Sequence, residues 1–63
     1  MQDNEMHLYT VTFTRWGEFP PVKREVNFFS TQEGFPAAVR KAVREQLGGS
    51  IADYVETGIR TAA

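Results

Sequence analysis

The sequence predicts an α+β fold of ββαβ order: a small antiparallel sheet with one amphipathic helix packed across one face. Three observations predict it. Apolar residues alternate with threonines over residues 7–16, a second β-type run over 22–29 matches the first in antiparallel register, and apolar residues recur at three-and-four spacing from Phe35 to Leu47.

The first strand reads HLYTVTFTRW, in which Tyr9, Val11 and Phe13 alternate with Thr10, Thr12 and Thr14. That period of two belongs to a strand with one buried face. Trp16-Gly17-Glu18-Phe19-Pro20-Pro21 interrupts it, because prolines cannot donate to a ladder and glycine permits a turn. Val22 to Phe29, VKREVNFF, reads as the second strand. A hairpin centred between Glu18 and Phe19 sets Tyr9 opposite Phe28 and Val11 opposite Val26, two apolar pairs on one face. The other face then pairs Thr12 with Glu25, Thr14 with Lys23 and Leu8 with Phe29, the last an apolar pair on the side expected to be wet.

Ser30-Thr31-Gln32-Glu33 has the Ser-x-x-Glu form of a capping box, and Pro36 places regular helix from about Gly34 or Phe35. Phe35, Ala38, Val39, Ala42, Val43 and Leu47 form the apolar stripe, with Arg40, Lys41 and Arg44 on the opposite side. Gly48-Gly49 ends the helix, since glycine takes the left-handed conformation of a C-terminal cap. The last segment, residues 50–63, supports two readings. As a strand, Val55, Thr57, Ile59 and Thr61 alternate with Glu56, Gly58 and Arg60. As a helix, Ser50 and Asp53 frame a start and Ile51, Tyr54, Val55 and Ile59 form a stripe, which gives the alternative order ββαα.

Composition bounds the function. Sixty-three residues make one domain, read as a polar tail over 1–6 and a single α+β domain over 7–63. A hydrophobic fraction of 41%, with one Trp, two Tyr and five Phe, is that of a folding chain. No cysteine is present, so disulfides and thiolate metal sites are excluded, in keeping with a reducing compartment. The polar start and the lack of a long apolar run predict a cytoplasmic protein that does not engage a membrane. A net charge of -1 provides no global field for nucleic acid, so any basic surface must be local.

Candidate chemistry is sparse. His7 has only Glu5 near it in sequence and reads as a solvated strand-end residue. The carboxylates lie in a tail, a loop, a cap and on strands, with no acid–base pair, no metal spacing and no phosphate-binding motif. The expectation is a non-enzymatic protein without metal or cofactor. Trp16, Phe19, Leu8 and Phe29 are the large apolar residues the core pattern leaves over; Trp16 and Phe19 either present a binding tip or pack on Pro20-Pro21. Arg40, Lys41 and Arg44 are the local basic patch, with Lys23 and Arg24 as additions.

The runs HLYTVTFTRW, REVNFFSTQEGFPAAVRKAVREQL and DYVETGIRTAA resemble in layout the small podophage inhibitors of host RNA polymerase, which are short ββαβ proteins. The resemblance covers residues 7–61 and implies binding to a polymerase through acidic groups and an exposed arginine near the last strand. Arg60 in GIRT stands at the matching place, and Gly58 stands where a second arginine would be. If residues 50–62 were helical, GGSIADYVETGIRTAA would instead be similar to the turn and second helix of ribbon-helix-helix DNA-binding proteins. That resemblance implies a dimer with VKREVNF as the ribbon and Lys23, Glu25 and Asn27 as readers.

The function these readings predict is a small protein-binding module of phage type that modulates a larger host protein such as RNA polymerase. Arg15, Trp16, Phe19 and Arg60 are the expected contacts. The alternatives are a nucleic-acid binder using Lys23, Arg24, Arg40, Lys41 and Arg44, or a homodimer closed through Leu8 and Phe29.

Overall fold

A computed structural model describes residues 5–62. The element order is β1 (His7–Arg15), β2 (Arg24–Ser30), α1 (Phe35–Gln46), a 3-10 turn (Ile51–Asp53) and β3 (Tyr54–Thr61). The strands form one antiparallel sheet in the order β2-β1-β3, which makes β1 central. This is the ββαβ arrangement, and the ββαα alternative falls with it: Tyr54–Thr61 is strand, and β2 pairs with β1 instead of forming an unpaired ribbon. Of the polar tail, residues 1–4 lie outside the described residues, and Glu5 and Met6 are exposed.

The hairpin has the register expected from side-chain pattern. Tyr9 faces Phe28, Val11 faces Val26, Thr12 faces Glu25 and Leu8 faces Phe29. Pairing stops at Phe13 and Arg24, so the second strand begins two residues later than expected and Lys23 is not opposite Thr14; Thr14 pairs with Val55 of β3 instead. Tyr9, Val11, Phe13, Val26 and Phe28 project toward α1, which supplies Val39, Ala42 and Val43. Phe13, Val11, Val26 and Val43 are fully buried, each stabilising the fold by about 1.5–3 kcal/mol relative to exposure. Around them Tyr9, Phe28 and Phe35 cluster, with Tyr9 to Phe35 edge-on at 4.9 Å.

The start of α1 differs from the expected capping box. Ser30 is buried and its hydroxyl donates to the Thr31 carbonyl, while the Thr31 hydroxyl accepts from the Gly34 amide. Helix begins at Phe35 with Pro36 in its first turn, where a missing N–H costs nothing. At the other end Gly48 and Gly49 adopt φ of 80° and 75°, left-handed values that reverse the chain, and the Leu47 and Gly48 amides both donate to Val43.

The capping box of this molecule closes the next turn. The Ser50 hydroxyl accepts from Ala52 at 3.2 Å and the Asp53 carboxylate accepts from the Ser50 amide at 3.1 Å. Helix goes no further, because Tyr54 is already extended and the chain joins the open edge of β1. The pairing shifts by one residue between Thr12 and Phe13, leaving Thr57 unmatched as a bulge. The expected alternation of Val55, Thr57, Ile59 and Thr61 along one face is thereby broken. Val55 and Ile59 lie on opposite faces, and Tyr54 is the buried residue of the strand.

Candidate functional site

The loop from Trp16 to Lys23 carries the largest exposed apolar side chains at one end of the sheet. Phe19 is 93% exposed, Trp16 68% and Val22 51%. Of the two readings of Trp16 and Phe19, these exposures fit presentation to solvent and not packing on Pro20-Pro21.

The loop is tied from below. Glu18 and Arg24 form a bidentate pair, with Nη1 to Oε1 at 2.8 Å and Nη2 to Oε2 at 2.7 Å. Glu18 Oε1 also accepts from the Val22 amide at 3.0 Å, and Arg24 Nη1 donates to the Val22 carbonyl at 3.1 Å. One carboxylate and one guanidinium therefore hold both ends of the Phe19–Val22 segment. The Arg24 hydrogen bonds, helped by the Val22 amide, pull the Glu18 pKa down to about 2, and Glu18 in turn raises that of Arg24.

The tie continues into the core. The Arg24 guanidinium lies 6.0 Å from the ring centre of Tyr54, whose own ring meets Phe13 edge-on at 6.1 Å. The Tyr54 hydroxyl donates to the Gly48 carbonyl, and the Trp16 amide donates to the Asp53 carbonyl at 2.9 Å. The aromatic tip thus sits on a framework built from the end of β1, the start of β2 and the 3-10 turn. Sequence pattern marked Trp16 and Phe19 but not the pairing of Glu18 with Arg24. The one available signal was opposite charges flanking a Phe-Pro-Pro-Val segment.

The remaining expected site residues divide. Arg15 ends β1 beside Trp16 and is exposed, so Arg15, Trp16 and Phe19 belong to one end of the molecule. Arg60 does not join them. It pairs with Thr10 toward the opposite end of the sheet, on the outer face, and its guanidinium reaches Glu25 at 3.1 Å across the central strand. Arg24 is held by Glu18 and leaves the basic set, and Lys23 stays on the loop. Arg40, Lys41 and Arg44 line one groove beside α1.

The outer face of the sheet carries Leu8, Thr10, Thr12, Thr14, Asn27 and Phe29, with Phe29 67% exposed. Thr10 donates to Asn27 at 2.7 Å, and with the Arg60–Glu25 pair this face is polar and partly charged, with an apolar corner at Leu8 and Phe29. Among the described residues no group of three His, Cys, Asp or Glu could hold a metal ion, and no helix is long and apolar enough to cross a membrane. Compared with protein-family models, curated proteins and solved structures, the chain gives no match.

Proposed function

We propose that the protein is a small binding module that docks on a larger protein through the loop Trp16–Lys23. The observation that supports this reading is the pairing of two exposed aromatics, Trp16 and Phe19, with a loop whose ends are held by four charge-assisted or backbone hydrogen bonds between Glu18, Val22 and Arg24. Exposed aromatic area costs solubility, and a rigid loop presenting it binds without paying much ordering entropy. Tryptophan and arginine are the residue types most enriched at the energetic centres of interfaces, and Arg15 adjoins Trp16. The partner fitted to such a tip has an apolar cleft with an acidic rim, since Arg15 and Lys23 flank the aromatics. The resemblance to podophage inhibitors makes bacterial RNA polymerase the first protein to test, with inhibition by occlusion as the mode of action.

The test compares the native chain with a Trp16→Ala/Phe19→Ala double variant. Both are used to capture protein from bacterial lysate treated with nuclease, and both are titrated against purified RNA polymerase. The expected result is one stoichiometric protein held by the native chain and bound at least about tenfold more weakly by the variant, with unchanged circular dichroism. Equal capture by the two chains would remove the loop from the interface.

A further inference from the structure

The two edges of the sheet are finished differently. The edge of β2 is occupied at Asn27 by the Gln46 side-chain amide, and the other edge belongs to β3. The direction of the β3 backbone groups follows from its pairing with β1. The Ala62 amide donates to the Leu8 carbonyl, so these two residues form a hydrogen-bonded pair. Alternation makes Arg60 with Thr10, and Gly58 with Thr12, the next such pairs. The N–H and C=O of Ile59 and Thr61 therefore point away from β1, and among the described residues nothing is bonded to them. Such a row is complementary to the backbone of an extended strand.

The residues along this edge select which strand. Positions 57–61 read TGIRT, with Thr57 and Thr61 placed symmetrically about Ile59. In a two-fold antiparallel pairing centred on Ile59, the Ile59 groups of two copies bond to each other, Thr57 faces Thr61, and Gly58 faces Arg60. The faces agree as well. Ile59 pairs with Val11 on the helix side, whereas Gly58 and Arg60 pair with Thr12 and Thr10 on the outer side. The second Ile59 would lie beside the first, at the mouth of a space of about 350 Å³ lined by Tyr9, Phe35, Pro36 and Ile59. Gly58 has no left-handed φ, and a Cβ there would meet nothing within 4 Å, so neither the adjacent bulge nor packing within the chain calls for glycine. Opposite a second strand it makes room for the stem of Arg60. The Arg60 guanidinium is itself turned back across β1 to Glu25, which leaves the edge clear of charge.

We infer that β3 pairs with β3 of a second copy of this chain, antiparallel and centred on Ile59, to make one six-stranded sheet. The seam of residues 57–61 is far smaller than the roughly 20–30 residues a side of a stable interface, so association is weak and needs high concentration. The loop Trp16–Lys23 takes no part in it, and each copy keeps its docking tip.

Sedimentation equilibrium of the whole chain from about 10 μM to about 1 mM should show a monomer–dimer equilibrium, half associated below about 1 mM. Ile59→Lys sets like charges directly opposite each other and should weaken association at least about tenfold, with circular dichroism unchanged because the native side chain is half exposed. Phe29→Lys, on the outer face of β2, should associate as the native chain does. Introduced cysteines read the register, since the chain has none of its own. Ile59→Cys should oxidise to a disulfide-linked dimer, because a hydrogen-bonded cross-strand pair brings its Cα atoms to about 5.5 Å. Thr61→Cys should not, because the same register holds the two Thr61 positions roughly 14 Å apart. A monomer at the highest concentration, unchanged association of Ile59→Lys, an equal loss in Phe29→Lys, or Thr61→Cys cross-linking as readily as Ile59→Cys would each overturn the proposal. None of these substitutions alters Trp16 or Phe19, so the result is separate from the docking test.

Discussion

Strands β2 and β3 flank the same central strand and are held by different means. β2 joins β1 in unbroken register, α1 packs over it, and Gln46 at the end of the helix closes its free edge. That closure is a pseudo-strand: the Gln46 side-chain amide accepts from the Asn27 N–H at 3.1 Å and donates to the Asn27 carbonyl at 2.7 Å. β3 has a bulge at Thr57, and its Ile59 is 46% exposed beside Phe35 and Pro36 at the very start of α1. Of its residues only Tyr54 is buried. The difference teaches that this sheet draws its apolar burial from one side, while its third strand is secured by backbone pairing and a single aromatic anchor. The docking loop rests on that anchor, since the Tyr54 ring lies beside Arg24 under the loop and its hydroxyl is bonded to the Gly48 carbonyl.

The largest effect should come from breaking the shared core. Phe13→Ala removes a fully buried ring that touches Tyr54, at a cost of about 3–5 kcal/mol, which in a domain this small leaves the chain largely unfolded by circular dichroism and urea titration. Gln46→Ala comes next. It strips the two hydrogen bonds from the β2 edge and should cost about 1 kcal/mol, with faster hydrogen exchange at Asn27 than at its neighbours. Ile59→Ala tests the other edge and should shift stability by less than about 1 kcal/mol, because the side chain is half exposed already. A cost for Ile59→Ala equal to that of Phe13→Ala would cancel the contrast between the strands.

The smallest effect on the fold concerns the loop tie, and it is pH-dependent. The Glu18 pKa is depressed in the folded state, so its contribution is fully present above the unfolded value of 4.5 and is lost as pH falls toward about 2. Carbon-detected NMR titration should find the Glu18 carboxylate still ionised well below the ordinary glutamate value of 4.5. Glu18→Gln should abolish this late titration and free the Phe19–Val22 segment, with the core unchanged. A Glu18 titrating near 4.5 would mean that the tie to Arg24 does not hold in solution.

Much of this architecture can be read from residues that act on their neighbours. Tyr9, Val11, Val26 and Phe28 set the hairpin register because a slip of one residue would turn every apolar side chain to water. Gly48 and Gly49 end the helix for a backbone reason that needs no partner. The two caps show where local reading misleads. Ser30 and Glu33 have the spacing of a capping box but Ser30 is drawn into the core side, whereas Ser50 and Asp53 form a true box that closes a single turn. Gln46 carries no local signature at all, because its partner Asn27 is 19 residues away.

By itself the sequence determined the first two strands, their hairpin pairing, the helix and its buried face, all properties of periodicity and of contacts close along the chain. Only the tertiary structure decided that residues 54–61 are strand, since Ser50 and Asp53 argue for helix until the open edge of β1 offers a ladder of backbone hydrogen bonds. It also decided the bulge at Thr57, the separation of Arg60 from Trp16, the recruitment of Arg24 by Glu18, and the gathering of Arg40, Lys41 and Arg44 around one groove. Each of these depends on which surfaces meet after the chain closes on itself, and burial and pairing across long sequence separations outweigh local preference there.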